Sequence, residues 1–363
     1  MTFRLSVDGP VWDQSLRAVL NRFPETVPVI KGNGYGFGLG VLAERSDKLG
    51  FDTVAIGVSA EAARVRAGFS GQILVLAPMQ RTELHAAPPD PGLLRTVAHL
   101  EILDALSRLA QPPQVVLELE SAMHRHGVPQ ADLLDLVPAL RRMPLAGLAL
   151  HLPGVGAGRR AIETALRSVA RLRAAGIEVG ALWVSRLPDS DLAWLRAQDP
   201  RTRVRLRVGT NLWLADRQAC TATGAVLDVH ATPRRQRIGY SRRRSPGGTV
   251  VVVSGGTSHG VGLQTAASRG HREGLARAAI AGAARAAGLV PSPFHWAGRR
   301  LQYADVPHMQ VSMLLVPAGI APPEIGDRLR CDVRMTLSTF DQVLISDPAQ
   351  STPCSRMNAR VGG

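Results

Sequence analysis

Lysine is almost missing from this sequence. Two lysines, Lys31 and Lys48, stand among 43 basic residues in a chain of 363. Where arginine has displaced lysine nearly everywhere, a surviving lysine marks a place that arginine cannot serve. A guanidinium stays protonated and cannot form an imine with an aldehyde, whereas an amine can. Lys48 sits in the polar stretch AERSDKLG and reads as surface. Lys31 closes the apolar run VPVIK, where an unpaired charge is costly, so it is the candidate reactive amine.

Cysteine is scarce as well. Cys220, Cys331 and Cys354 form no CxxC pair, no metal-site spacing and no even set, so they read as reduced bystanders. No apolar run approaches the roughly 20 residues of a membrane span. The start, MTFRLSVDGPVW, lacks the basic and apolar regions of a signal peptide, so a cytoplasmic protein is expected. Aromatics make up only 4%, against a net charge of +14. The densest basic cluster, Arg234, Arg235, Arg237, Arg242, Arg243 and Arg244, contains one tyrosine and no recognisable module. It reads as a solvated loop, which disfavours nucleic acid as a partner and leaves an acidic polymer or substrate as the alternative.

What is present is alternation. The length suggests two domains. From residue 27 to about 210, β-rich runs at 27–31, 53–57, 72–77, 95–99, 114–120, 145–151, 178–185 and 203–209 alternate with helix-compatible stretches. Several of those stretches show i, i+3, i+4 apolar spacing and end in glycine. Eight strands in strict alternation predict an α/β fold with an N-terminal (β/α)8 barrel over 1–219. A doubly wound open sheet fits the alternation too, but usually carries fewer strands. Beyond residue 220 the runs GAVLDVHA, TVVVVSGG, HMQVSMLLVP, DRLRCDVRM and DQVLIS predict a smaller, mostly β domain over 220–347. One helix-like segment, REGLARAAIAGAARAAG, interrupts them, and 348–363 reads as a disordered tail.

Chemistry in a barrel sits at the C-terminal ends of the strands. Reactive side chains fall there repeatedly in this sequence. Strand one ends in Lys31, followed by Gly32, Asn33, Gly34 and Tyr35; strand five runs into Glu120, Ser121, Met123 and Arg125. Strand six ends in His151, strand seven in Ser185, and strand eight in Arg207 and Gly209. A lone histidine at a strand end is more often structural. The joint placement on one face is what points to a site.

The segment VIKGNGYGFG closely resembles the cofactor motif of alanine racemases, and LESAMHRHG, GLALH and LRVGTNLWL resemble, in order, that family's later barrel segments. HMQVSMLLVP and GDRLR resemble its second domain more faintly. The resemblance implies a pyridoxal 5'-phosphate enzyme acting on an amino acid or an amino-acid-containing substrate as a head-to-tail homodimer with shared sites. It implies that Lys31 binds the cofactor covalently as an internal aldimine and acts as one proton-transfer base. Tyr35, Ser185 and the backbone N–H groups of Gly209 and Thr210 would hold the phosphate. Arg125 would reach the ring hydroxyl, and Arg207 would donate to the pyridine nitrogen with support from His151.

The sequence departs from that family at its second base, a tyrosine in a Gly-Tyr-Ala-Asp-Gly-like turn. Here the place reads VVVVSGGTSHG, with Gly256 nearest the expected tyrosine. The replacements considered are His259, which is titratable at neutral pH, and then Tyr303. Glu118 stands where many members carry a carbamylated lysine, and is expected to supply the same charge to Arg125. Trp213 stands where the family usually has tyrosine. The expected activity is racemization or epimerization. The alternatives are one-sided Cα chemistry (decarboxylation or proton exchange) and a non-catalytic pyridoxal-phosphate-binding protein.

Overall fold

A computed structural model describes residues 2–84, 90–153, 158–185, 187–263 and 290–346. The chain forms two compact units. One comprises Leu16–Gly34 and Gly38–Ala215; the other comprises the first fifteen residues, Tyr35–Phe37 and the chain from Asp216 onward. The first strand, β1 (Phe3–Val7), belongs to the second unit.

The first unit is the barrel. Its strands are β2 (Thr26–Pro28), β3 (Thr53–Ile56), β4 (Gln72–Val75), β5 (Leu93–Val97), β6 (Val115–Leu119), β7 (Leu145–Leu150), β8 (Ala181–Ser185) and β9 (Arg203–Val208). They pair in parallel in the order β2-β9-β8-β7-β6-β5-β4-β3. A bridge from Val29 to Ala55 and the Ile30 N–H on the Ala55 carbonyl join the two ends, so the sheet closes. Closure removes the unpaired edges that an open sheet would carry. Among the expected strands, the one at 95–99 lies two residues earlier, at Leu93–Val97. Its apolar residues Leu93, Leu94 and Val97 are buried, whereas His99 is exposed at the start of the following helix.

Burial sorts each strand by parity. Val27, Val29, Ala55, Leu74, Leu94, Val116, Ala149, Ala181 and Trp183 cluster as the barrel interior. Their chain neighbours, such as Leu117, Leu148, Leu150, Leu182 and Val184, pack outward with helix residues. The helix Gly158–Ala174 buries Ile162, Ala165, Val169 and Leu172, one stripe at helical spacing, in that outer layer.

The second unit is the mostly β domain. Beyond β1 its strands are β10 (Cys220–Thr232), β11 (Arg237–Ile238), β12 (Arg243–Arg244), β13 (Gly248–Ser254), β14 (Pro291–Trp296), β15 (Arg299–Tyr303), β16 (Val311–Pro317), β17 (Arg328–Cys331) and β18 (Gln342–Ile345). The main sheet runs β13-β16-β15-β14-β17-β10-β1-β18, and β10 pairs with β13 as well, which closes six strands into a ring. The sequence reading places residues 1–219 in the barrel. The structure instead pairs β1 antiparallel with β10 and parallel with β18, because Phe3, Leu5 and Val7 alternate inward and are buried. The arginine cluster is largely exposed, as read, but it is ordered by a short hairpin. β11 and β12 form an antiparallel hairpin, whose turn is tied to Asp305 by the Tyr240 N–H and by the Ser241 N–H and hydroxyl. The helix-like segment at 272–288 and the tail from 348 lie outside the described residues. No helix among the described residues is long and apolar enough to cross a membrane.

Candidate active site

Continuing the inward parity one step toward the C-terminal ends gives the layer above the apolar plug. From Val27 and Val29 the next inward position is Lys31; from Ala55 it is Gly57; from Val116, Glu118; from Ala149, His151; from Trp183, Ser185; and from Arg205, Arg207. One end of the barrel therefore gathers an amine, a carboxylate, an imidazole, a hydroxyl and a guanidinium. These are the residues singled out from the sequence, together with Gly57.

Lys31 is exposed, directly beyond a backbone that is fixed on both sides. The Val29 N–H donates to the Val208 carbonyl at 2.8 Å, and the Ile30 N–H donates to the Ala55 carbonyl at 2.7 Å. The buried Trp213 indole donates to the Val29 carbonyl at 2.9 Å. Glu61 ties the following turn: its carboxylate accepts from the Gly32 and Gly57 N–H groups, each at 2.7 Å. Nothing in the sequence singles out Glu61, because its partners are main-chain groups on two separate loops. A Cβ at Gly57 would lie 3.2 Å from the Lys31 Cβ, so glycine here leaves room for the lysine stem.

The best-defined electrostatic feature is Arg207. It is buried, with Nη1 lying 3.8 Å from the equally buried Glu118 carboxylate. Its Nε and Nη2 are buried and have no hydrogen-bond partner. Burial pushes this guanidinium below its usual range; Glu118 opposes the shift and the Arg125 charge adds to it. Orphaned donors of this kind are rare in native interiors, because each forfeits its hydration without compensation. An acceptor placed over them, such as a pyridine nitrogen, would satisfy them. The Arg207 donor set therefore fits the expected cofactor.

Glu118 is a correction to the sequence reading. It was expected to serve Arg125, and the structure pairs it with Arg207. The reason is register: Glu118 and Arg207 are both inward-facing, whereas Arg125 lies in the exposed loop after β6. The other residues fall as follows. The Ser185 hydroxyl is 3.0 Å from His151 Nδ1 and accepts the Leu152 N–H at 3.3 Å. Ser121 donates to the His151 carbonyl at 2.7 Å. Gly209 precedes a single helical turn, Thr210–Trp213, and its carbonyl accepts the N–H groups of Leu212 and Trp213. Tyr35 is buried with φ at 54°, a left-handed conformation that a bulky residue rarely adopts, and it groups with the second unit.

The two second-base candidates lie in the β-rich unit, and each is fixed within it. His259 accepts the Gly256 N–H on Nδ1 at 3.2 Å and places Nε2 3.1 Å from the Asp341 carboxylate, so both ring nitrogens are engaged. Its ring packs on Phe3 at 5.3 Å. Tyr303 is buried, and burial pushes its phenol up to about 12. At Gly256, where the family's tyrosine is expected, a Cβ would fall 2.2 Å from the His308 carbonyl oxygen. The backbone there has no space for a side chain.

Known proteins share this fold. Residues 13–186 match the family model described as alanine racemase, N-terminal domain. An alanine racemase of Shewanella amazonensis is 30% identical over 153 residues, which are 38% of this chain and 42% of that protein. One from Symbiobacterium thermophilum is 26% identical over 302 residues, covering 68% and 80%. The first of these matches thus spans about two fifths of the relative's length. Among solved structures, alanine racemase from Bartonella henselae with covalently bound pyridoxal phosphate superposes with a TM-score of 0.70 at 14% identity, over 95% of this chain and all of that one. The Clostridium difficile enzyme gives 0.69 at 16% identity, over 91% and 86%. Low identity over these lengths establishes a shared fold; the family model and the sequence relatives add the lineage. Residues 13–186 belong to the family of alanine racemase N-terminal domains, and the chain as a whole shares the fold of alanine racemases.

Proposed function

We propose that the chain is a pyridoxal-phosphate-dependent isomerase that moves the Cα proton of an amino acid or an amino-acid-containing substrate, with Lys31 as the covalent anchor and the base on one face. The observation that carries this reading is Arg207, whose buried Nε and Nη2 await an acceptor in the layer that also holds Lys31. The cofactor, when bound, withdraws electrons from the substrate and acidifies its Cα proton. Lys31 would take and return that proton at its ε-nitrogen. Arg207 would donate to the pyridine nitrogen, with Glu118 balancing its charge, and Arg125 would reach the ring hydroxyl. Tyr35, Ser185 and the N–H groups of Gly209 and Thr210 would hold the phosphate, with His151 orienting Ser185.

A specific observation favours a second reading, one-sided Cα chemistry. His259 has no open nitrogen, the Tyr303 phenol is held protonated, and Gly256 admits no side chain. Racemization needs a base on each face, and both ring nitrogens of His259 already have partners within the β-rich unit.

The test is spectroscopic first. Purified protein should be yellow, and Lys31→Ala should lose the band; a colourless wild type, or a Lys31→Ala variant that keeps the band, would sink the proposal. In heavy water, loss of the substrate's α-hydrogen together with optical activity indicates racemization. Exchange with optical activity retained indicates one-sided chemistry. We further propose a homodimer, in which the partner's β-rich unit completes each site; a monomer in sedimentation would remove that part.

A further inference from the structure

The loops that follow β2 and β3 are joined beside Lys31 by one carboxylate. Glu61 ends a short 3-10 turn, Ser59–Glu61. A glutamate at that position commonly closes its own turn, and Glu61 does so with its longest bond, accepting the Val58 N–H at 3.3 Å. Its two shorter bonds reach further. Oε2 accepts the Gly57 N–H at 2.7 Å, and Oε1 accepts the Gly32 N–H at 2.7 Å from 29 residues away. Each oxygen therefore holds the main chain of a different loop.

The residues held are the immediate surroundings of the lysine stem. Gly32 follows Lys31 directly and has φ at 60°, and the Gly34 N–H returns to the Lys31 carbonyl at 3.1 Å. Gly57 is the inward residue at the same level of the barrel; a Cβ there would lie 3.1 Å from Glu61 Oε2 and 3.2 Å from the Lys31 Cβ. The carboxylate and the foot of the lysine stem thus share the space that glycine leaves open.

The next carboxylate along the rim supplies a comparison. Glu83 ends the turn Arg81–Glu83, where it accepts the Gln80 N–H at 2.9 Å and the Ser59 hydroxyl at 2.5 Å. It joins the β4 loop to the β3 loop as Glu61 joins the β3 loop to the β2 loop. The two do the same stapling, but Glu83 stands one loop away from the lysine.

We infer, resting on the pyridoxal-phosphate reading above, that Glu61 is a positioning residue for the Lys31 amine. By holding the Gly32 and Gly57 N–H groups with one carboxylate, it fixes the turn from which the lysine stem leaves, and so where the ε-nitrogen meets the cofactor.

Glu61→Gln in the full-length protein tests this. The amide keeps the shape, but either way round it presents an NH2 group to one of the two N–H donors, so one tie breaks. Glu83→Ala removes the neighbouring staple outright and controls for general loosening of the rim. Visible circular dichroism of the cofactor band reports how the bound ring is held, and Glu61→Gln should change it. After the cofactor is stripped and pyridoxal 5'-phosphate is added back, the band should form about tenfold more slowly, because small misplacements of a reacting group are costly. Glu83→Ala should keep the wild-type dichroism and reload within about twofold of wild type. Glu61→Asp, which keeps the charge but is one methylene short of spanning both loops, replaces the amide variant if that does not fold, and the same changes are expected of it. A colourless wild type overturns the cofactor reading and this inference with it. A yellow wild type overturns this inference alone if Glu61→Gln keeps its dichroism and reloading rate, or if Glu83→Ala disturbs them as much.

Discussion

The residue that ties the barrel chemistry together is Glu118. Its carboxylate lies 3.8 Å from a guanidinium that is almost fully removed from water. Removing one member of a buried ion pair leaves the other uncompensated, which typically costs about 3 kcal/mol or more, whereas replacing both with apolar groups costs far less. Glu118→Gln should therefore lower the urea midpoint markedly, and Glu118→Met combined with Arg207→Leu should recover much of the loss. Equal losses for the single and double variants would show that the pair is not coupled. The cofactor band offers a separate readout, since Glu118→Gln changes the charge next to Arg207 without touching Lys31. Glu118 was visible in the sequence as a departure from the family pattern, yet its partner was not. A position on β6 does not reveal which residue of β9, three strands away in the sheet, meets it across the barrel.

Among the elements, the turn after β13 bears most on the proposed reaction. Gly256 lies against the His308 and Met309 carbonyl oxygens, with 2.2 and 2.5 Å left for a Cβ. Contacts that short force the backbone to move. Gly256→Tyr, which writes the family's residue back into the chain, is expected to destabilise the β-rich unit and to add no racemization. A stable Gly256→Tyr variant that gained racemization would show that the turn has room after all. The same turn holds His259, the residue ranked first from sequence as a replacement base. Its type and spacing suited that role. Its Nε2 meets Asp341, 82 residues away, a contact that type and spacing do not reveal. The hairpin of β11 and β12 makes a similar point. Six arginines in a short stretch read as solvated chain, and most of them are exposed, but Asp305 orders the turn from 65 residues away.

At the scale of the whole molecule, the chain start lies in the sheet built from the chain end. β1 pairs with β18 from Arg4↔Gln342 to Val7↔Ile345, and Leu5 is fully buried. Leu5→Ala should cost about 3 kcal/mol, as for other buried leucines, and should unfold the β-rich unit at lower denaturant. A loss under 1 kcal/mol would contradict the buried, central position given to this strand.

Periodicity by itself determined the barrel, because alternation and parity are local properties that each strand carries in its own residues. The motif around Lys31 carried the resemblance to alanine racemases for the same reason, since all its members lie within ten consecutive positions. Tertiary structure alone decided the partner of Glu118, the capture of His259, the closed space at Gly256 and the placement of β1. Each of these depends on which atoms meet across tens to hundreds of residues, and hydrogen bonds and steric exclusion act on distances in space that sequence separation does not encode.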